Sequence, residues 1–270
     1  MLKQRVITAA ILLPLAILGF FWLDGVAFAL FTGSVIVLGG WEWARLAGFS
    51  AQWVRTGYAG LIALLLAGLY QIPALGIPLL WLAAGWWLLA IVLVVRYPEG
   101  RDCWHSGGRI FLMGLPVLLP AWQALQLLKQ WPMGNELILL VMVLVWTADI
   151  GAFFAGRALG RHKLAPGVSP GKSWEGVAGG LLGCLLVMLA VGVCQGWSVS
   201  EMLLALCETV VVVMVSVVGD LTESMFKRNA GLKDSSQLLP GHGGILDRID
   251  SLTAAVPVFA LLLWLTGWGN

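Results

Sequence analysis

Apolar residues occur in this chain as long uninterrupted blocks rather than in alternation with polar ones. Blocks of roughly 17 to 25 residues recur from end to end, each long enough to cross a hydrocarbon core of about 30 Å as a helix. The pattern predicts about nine transmembrane helices, near 6–23, 26–44, 57–72, 74–95, 110–128, 136–156, 176–196, 202–224 and 250–268. The third is short and meets the fourth through "YQIPALGIP", a tight turn, which leaves a count of eight open. The expected fold is all-α: a single polytopic membrane domain over 1–270, with no room for a soluble domain in the intervals.

Composition agrees with the pattern. Of the 270 residues, 60% are hydrophobic and 11% charged, where a soluble domain carries about 25% charged residues; the mean hydropathy is +0.91. The opening "MLKQRVITAAILLPLAILGFFWL" has the cations of a signal peptide. Its apolar stretch is longer than the usual 7 to 15 residues, however, and further spans follow, so it reads as an uncleaved first helix. Cys103, Cys184, Cys194 and Cys207 show no C-x-x-C spacing and read as small packing residues.

The cations orient the chain. With the N-terminus in the cytoplasm and nine spans, Lys129 is the one Lys or Arg of the 16 left outside, which is the asymmetry that the positive-inside rule requires. Trp22, Trp131, Trp197 and Trp268 fall near outer span ends and Trp41, Trp43, Trp53 and Trp174 near inner ones, as interfacial rings should. "GVAGGLLG" at 176–183 has small-xxx-small spacing, which permits close helix contact, more readily within the chain than across a dimer seam.

Charges within the spans are the informative exceptions, because each carboxylate near mid-membrane costs about 2.5 to 3.5 kcal/mol on insertion scales. Asp149 in "VLVWTADIGAFFAG" and Asp220 in "VVVMVSVVGDLTESMFKR" each sit about seven residues before the predicted inner end of their helix, about 10 Å deep. Asp247 and Asp250 open the last span from the same side. Asp220, Glu223, Ser224 and Lys227 share one helical face, as do Asp247, Asp250 and Ser251. Two readings are open: carboxylates paired with Lys or Arg reaching down from the loops, or carboxylates around a hard divalent cation such as Mg²⁺. Several carboxylates at one depth favour the cation.

Two polar loops flank that depth. "GRALGRHKLAPGVSPGKSWEG" (156–176) and "KDSSQLLPGHGGILDRID" (233–250) combine fixed cations with glycine turns whose N–H groups can approach anionic oxygens. Neither matches a P-loop or a dinucleotide fingerprint, and a loop held to anionic lipid by its cations is the plainer reading. Together the parts suggest a polyphosphate arriving from the cytosol and an anionic or hydroxylated lipid arriving from the inner leaflet.

"SMFKRNAGLKDSSQLLPGHGGILDRIDS" (224–251) resembles the signature of the phosphatidate cytidylyltransferase family, with Ser224, Lys227, Arg228, Lys233, Asp234, His242, Gly243, Gly244, Asp247, Arg248 and Asp250 at the family's spacing. Upstream, Asp149 and the run Ser169, Pro170, Lys172, Ser173, Glu175, Gly176 look like a second family segment, with Phe153 where tyrosine is expected. The resemblance implies a bacterial inner-membrane enzyme with its site facing the cytoplasm. It is expected to be a homodimer and to make CDP-diacylglycerol and pyrophosphate from CTP and phosphatidate with Mg²⁺, without a nucleic-acid partner. It also implies residue roles. Asp220 and Asp247, helped by Asp149, would hold the metal, and Asp220, Asp247 and Lys227 would be catalytic. Ser169, Lys172, Ser224, Arg228, Lys233, His242, Gly243, Gly244 and Arg248 would bind the substrates, His242 either donating to a phosphate or capping the loop. Residues 136–251 would carry the chemistry, 1–130 the scaffold and dimer contacts, and 250–268 the last span; Glu42, in "WEWARLAG", is left out as a residue that simply snorkels.

The nearest alternative is a CTP-dependent polyprenol- or phytol-type lipid kinase, which the full run from Lys227–Arg228 to Asp247–Arg248–Asp250 argues against. An anion transporter would need two-sided access and an internal repeat, and the sequence shows no repeat.

Overall fold

A computed structural model describes residues 2–267, without the side chains of 2–7 and 9. The fold is the expected all-α membrane architecture. Its helices are α1 (Leu2–Ile17), α2 (Gly25–Leu46), α3 (Gln52–Gln71), α4 (Gly76–Val95), α5 (Gly107–Gln130), α6 (Gly134–Leu159), α7 (Trp174–Gln195), α8 (Val199–Asn229) and α9 (Leu246–Thr266). Among the described residues eight helices, α2 to α9, are long and apolar enough to cross a membrane, and the shorter apolar stretch Ala10–Trp22 precedes them. The short member is therefore the first, whose helix contains Pro14 and continues through a π-helical turn, Leu18–Trp22. The third runs a full 20 residues and joins the fourth through a single 3₁₀ turn, Pro73–Leu75.

Polar contacts between elements mark both ends of the bundle. At one end Thr8 Oγ1 donates to Pro240 O (2.9 Å), an Arg45 guanidinium N–H to Ser235 O (3.0 Å) and Arg101 Nε to Asn229 Oδ1 (2.5 Å). At the other, Lys129 Nζ meets Asp24 (3.3 Å), Phe20 O (2.9 Å) and Asn135 Oδ1 (2.6 Å). The cation that breaks the sequence asymmetry is thus tied down on arrival. The side chains of Lys3 and Arg5, and the whole of Trp268, lie outside the described residues. Trp22 and Trp53 are exposed as interfacial rings should be, but Trp43 is not: it is buried, donates to Ile110 O (2.7 Å) and packs edge-on against Phe226. Proximity to a span end did not distinguish a core ring from a belt ring.

The segment between α6 and α7 was expected to be an irregular loop. It contains two short antiparallel strands, β1 (Lys163–Ala165) and β2 (Ser169–Ser173), joined by Pro166, Gly167 and Val168. Glu175 pins the base of this hairpin by accepting from the backbone N–H groups of Arg161 and His162 and from His162 Nδ1 (2.6 Å). Ser173 caps α7 through Gly176 N (3.2 Å), leaving β2 to run straight into the helix.

The small-residue run of α7 packs within the chain, as expected, against α6. A Cβ on Gly151 would lie 2.8 Å from Gly180 Cα, and one on Gly176 would lie 2.9 Å from Ala152 O. The helices meet at backbone distance because no side chain intervenes. α8, at 31 residues, is about 46 Å long, so its last turns project beyond a 30 Å core. A capping box, Ser198 with Glu201, fixes its start.

Candidate active site

Asp149, Ala152, Phe153, Gly156 and Arg157 fall at i, i+3, i+4, i+7 and i+8 of α6, one helical stripe, and line one side of a cavity of about 700 Å³. β2 supplies Gly171, Lys172 and Ser173, α7 supplies Gly176 and Val177, and α8 supplies Val217 and Asp220. Asp149 lies ten residues before the end of α6 and Asp220 nine before the end of α8, about 15 and about 14 Å along their axes. Both carboxylates therefore stand at one depth in one cavity.

Their environments differ. Asp220 is held, with Lys172 Nζ at 2.6 Å from Oδ2 and Ser224 Oγ donating to Oδ1 at 3.2 Å. Asp149 makes no hydrogen bond or ion pair among the described residues, while Asp220, Lys172 and Arg248 lie within electrostatic reach of it. The cavity thus holds one carboxylate without a direct partner among the described residues beside one that is paired with a part-buried lysine.

Asp247 occupies a different position. Lys227 Nζ donates to Oδ1 at 2.7 Å, and Oδ2 accepts from Ser235 N (2.9 Å), Ser235 Oγ (2.9 Å) and Gly244 N (2.8 Å). This carboxylate ties the polar loop to the start of α9. Lys227, buried, also pairs with Glu223 at 3.4 Å, and Asp250 stands beside both. The predicted stripe of α8 is thus a buried row of charge running from the cavity to the loop.

Glu42 completes the arrangement. It is fully buried, and its two oxygens accept from Ser235 Oγ (3.1 Å), Ser236 Oγ (2.5 Å), Ile245 N (3.0 Å) and Leu246 N (2.6 Å). It does not snorkel: it caps α9 from another helix and holds the loop from below. This explains the paired glycines. Gly243 has φ +85°, and a Cβ there would sit 2.8 Å from Asp247 Oδ2; one on Gly244 would sit 2.6 Å from Glu42 Oε1.

The remaining predicted residues divide between the two regions. Ser169 lies on β2 near the cavity's hairpin wall. Arg228 supports structure, donating through Nε to Val168 O (3.3 Å) and through an Nη to Leu232 O (3.4 Å). Lys233 and Arg248 are exposed at the charged end and make no ion pair among the described residues. His242 Nδ1 is buried without a hydrogen-bond partner. Sequence reasoning missed Glu42 and set Arg157 only among the cations of the first polar loop, not on the Asp149 stripe. Arg157 was findable from its α6 periodicity; Glu42 was not, because its partners lie about 200 positions away.

No group of three or more His, Cys, Asp or Glu among the described residues stands together as a metal cage. Mg²⁺ is commonly bound by only one or two carboxylates plus substrate phosphates, and Asp149 with Asp220 has that form.

The profile of the cytidylyltransferase family matches residues 3–266. The chain is 62% identical over 269 residues to a phosphatidate cytidylyltransferase from Pseudomonas aeruginosa, covering 100% of this chain and 99% of the relative. It is 41% identical over 281 residues to one from Haemophilus influenzae, covering 96% and 98%. With one from Brucella suis the identity is 40% over 273 residues, covering 98% and 93%. The chain belongs to the cytidylyltransferase family.

Proposed function

We propose that this chain is the enzyme that transfers CMP from CTP to phosphatidate, giving CDP-diacylglycerol and pyrophosphate. The observation that carries this reading is the placement of Asp149, Asp220, Lys172 and Arg157 around one cavity near a charged end of the bundle, in a chain matched over its full length by relatives of that name. A lipid phosphate at headgroup depth and a nucleotide from the aqueous side can both reach such a place.

In the reaction a phosphate oxygen of phosphatidate forms a bond to the α-phosphorus of CTP. The bond from that phosphorus to the oxygen bridging to the β-phosphate breaks, and pyrophosphate carries the electron pair away. The protein supplies no nucleophile; positioning and charge account for its part. Lys172 and Arg157 neutralise phosphate charge in the cavity, with Arg248 within electrostatic reach of Asp149, Lys233 adds positive charge on the exposed polar loop, and Ser224 orients Asp220. Mg²⁺ would be held by Asp149 and Asp220, where it supplies neutralisation of the triphosphate. Asp247 fixes Lys227 and the glycine loop, and it could join the metal only by giving up Lys227. Residues 136–251 carry this chemistry, on a scaffold whose α2 contributes Glu42.

The cation-rich end is assigned to the cytoplasm by the positive-inside rule, which puts the N-terminus and the site on that side of a bacterial inner membrane. A homodimer is part of the same reading, with exposed apolar residues of the 1–130 scaffold such as Leu64 and Leu88 available for contact.

The test uses purified protein in detergent micelles with phosphatidate, Mg²⁺ and CTP labelled at the α- or the γ-phosphate. Lipid carrying α-label, with γ-label released as pyrophosphate, is the expected result. Lipid carrying γ-label would make the chain a kinase, and label from neither position, in folded protein, would end the enzymatic reading.

A further inference from the structure

Beside the polar cavity lies a second, partly open one, of about 350 Å³, lined by the inner end of α4, the hairpin, α7 and α8. The two share Val177 and Val217 in their walls, so these two side chains are the partition between them. No charged residue lines the second cavity; Tyr97 and Trp174 bring its few side-chain oxygen and nitrogen atoms. Its direction is informative. Met214, in its α8 wall, lies six residues from Asp220 toward the middle of the span, about 9 Å deeper along the helix. On α4 it extends from Val95, at the helix end, back to Ile91. The opening thus begins at the hairpin and continues inward, away from the charged end.

A charged chamber at headgroup depth, joined across two valines to an apolar chamber running toward the membrane interior, has the polarity of one phospholipid molecule. A nucleotide suits the second chamber poorly, because no cation there would meet its phosphates and only the Tyr97 hydroxyl and the Trp174 N–H among the lining side chains would meet the polar edge of its base. We propose that the apolar cavity receives the upper part of one acyl chain of the lipid substrate while its phosphate lies in the polar cavity; this rests on the assignment of phosphatidate as substrate. The diacylglycerol body is then held between α4 and α8. The hairpin, with Leu164 and Val168 on its apolar side, covers the junction of head and tail.

The consequence is a chain-dependent contribution to recognition, separable from the chemistry. Purified protein, wild type and with Met214→Trp or Ile91→Trp, would be assayed with CTP on dihexanoyl and on dioleoyl phosphatidate. Tryptophan at either position fills the deep end of the cavity. The expected result is a fall of about tenfold or more in kcat/KM for the dioleoyl lipid, carried by KM, with the dihexanoyl lipid changed less than about twofold. Equal losses on both lipids in folded protein, or no loss on either, would overturn the proposal. Should the tryptophan variants not fold, wild-type protein and a phosphatidate with a diazirine on its acyl chain give the answer. Cross-links to 91–95 or 214–221 that unlabelled phosphatidate competes away support it; their absence, or cross-links that phosphatidate does not displace, refute it. Wild-type protein inert on both lipids would instead count against the substrate assignment itself, before any variant is compared.

Discussion

Glu42 and Asp247 meet on a single hydroxyl: Ser235 Oγ lies 3.1 Å from Glu42 Oε2 and 2.9 Å from Asp247 Oδ2. A hydroxyl has one proton to donate, so the two carboxylates share it. They tolerate each other because Leu246 N satisfies Glu42 Oε2, while Ser235 N and Gly244 N satisfy Asp247 Oδ2. The loop between them is thereby fixed from both sides.

Glu42→Gln should therefore be harmful although it keeps the shape. An amide nitrogen would face donors where the carboxylate offered acceptors, and each buried donor left unsatisfied costs about 1–3 kcal/mol. The expected outcome is a lowered unfolding midpoint in detergent together with lost cytidylyl transfer. Wild-type melting and turnover in this variant would show that the clamp does not matter.

Asp220→Asn should separate chemistry from folding. Asp220 is partly open to the cavity, so the variant should insert and melt like the wild type. Its rate should fall by about 10²–10³, the range seen when one electrostatic contact to reacting groups is removed. Asp149→Asn should behave likewise. Retained turnover in either would remove that residue from the site.

Lys227→Ala should cost stability as well as rate. It leaves Glu223 and Asp247 without their shared cation, and breaking a buried pair in this way is worth about 3–5 kcal/mol. Combining Lys227→Met with Glu223→Gln should recover part of the melting temperature and none of the activity. Recovery of activity would reduce Lys227 to a counter-ion.

The orientation can be read with an impermeant maleimide on intact and on opened cells. Cys103, exposed at the cation-rich end, should label only after opening. A cysteine replacing the exposed Val199, at the other end, should label from outside. The reverse pattern would invert the assignment.

How much of this was legible beforehand follows from the range of each interaction. The apolar helices and the polar stripe of α8 come from local hydrophobicity and helical period, and both appear in the fold, with eight helices of spanning length among the described residues and the shorter apolar stretch before them. The common cavity of Asp149 and Asp220 followed from their matched distance to the helix ends. Trp43 and Glu42 did not follow, because a ring or a carboxylate near a span end looks the same in sequence whether it faces lipid, water or protein. The hairpin was missed because its strands are only three and five residues long, too short for alternation to register. The commitment of Asp247 to Lys227 and Ser235 depended on a loop whose path no local rule supplies.

The glycine crossing of α6 and α7 has a mechanical consequence. Where helices are spaced by side chains, rotamer changes let the gap widen or narrow. Here the spacing is main chain on main chain, with Gly151 against Gly180, so there is no rotamer to relax. The separation between the Asp149 stripe and the strand bearing Lys172 is thus gauged by the peptide backbone itself. Even one added methyl on that seam would move the two walls apart as a unit.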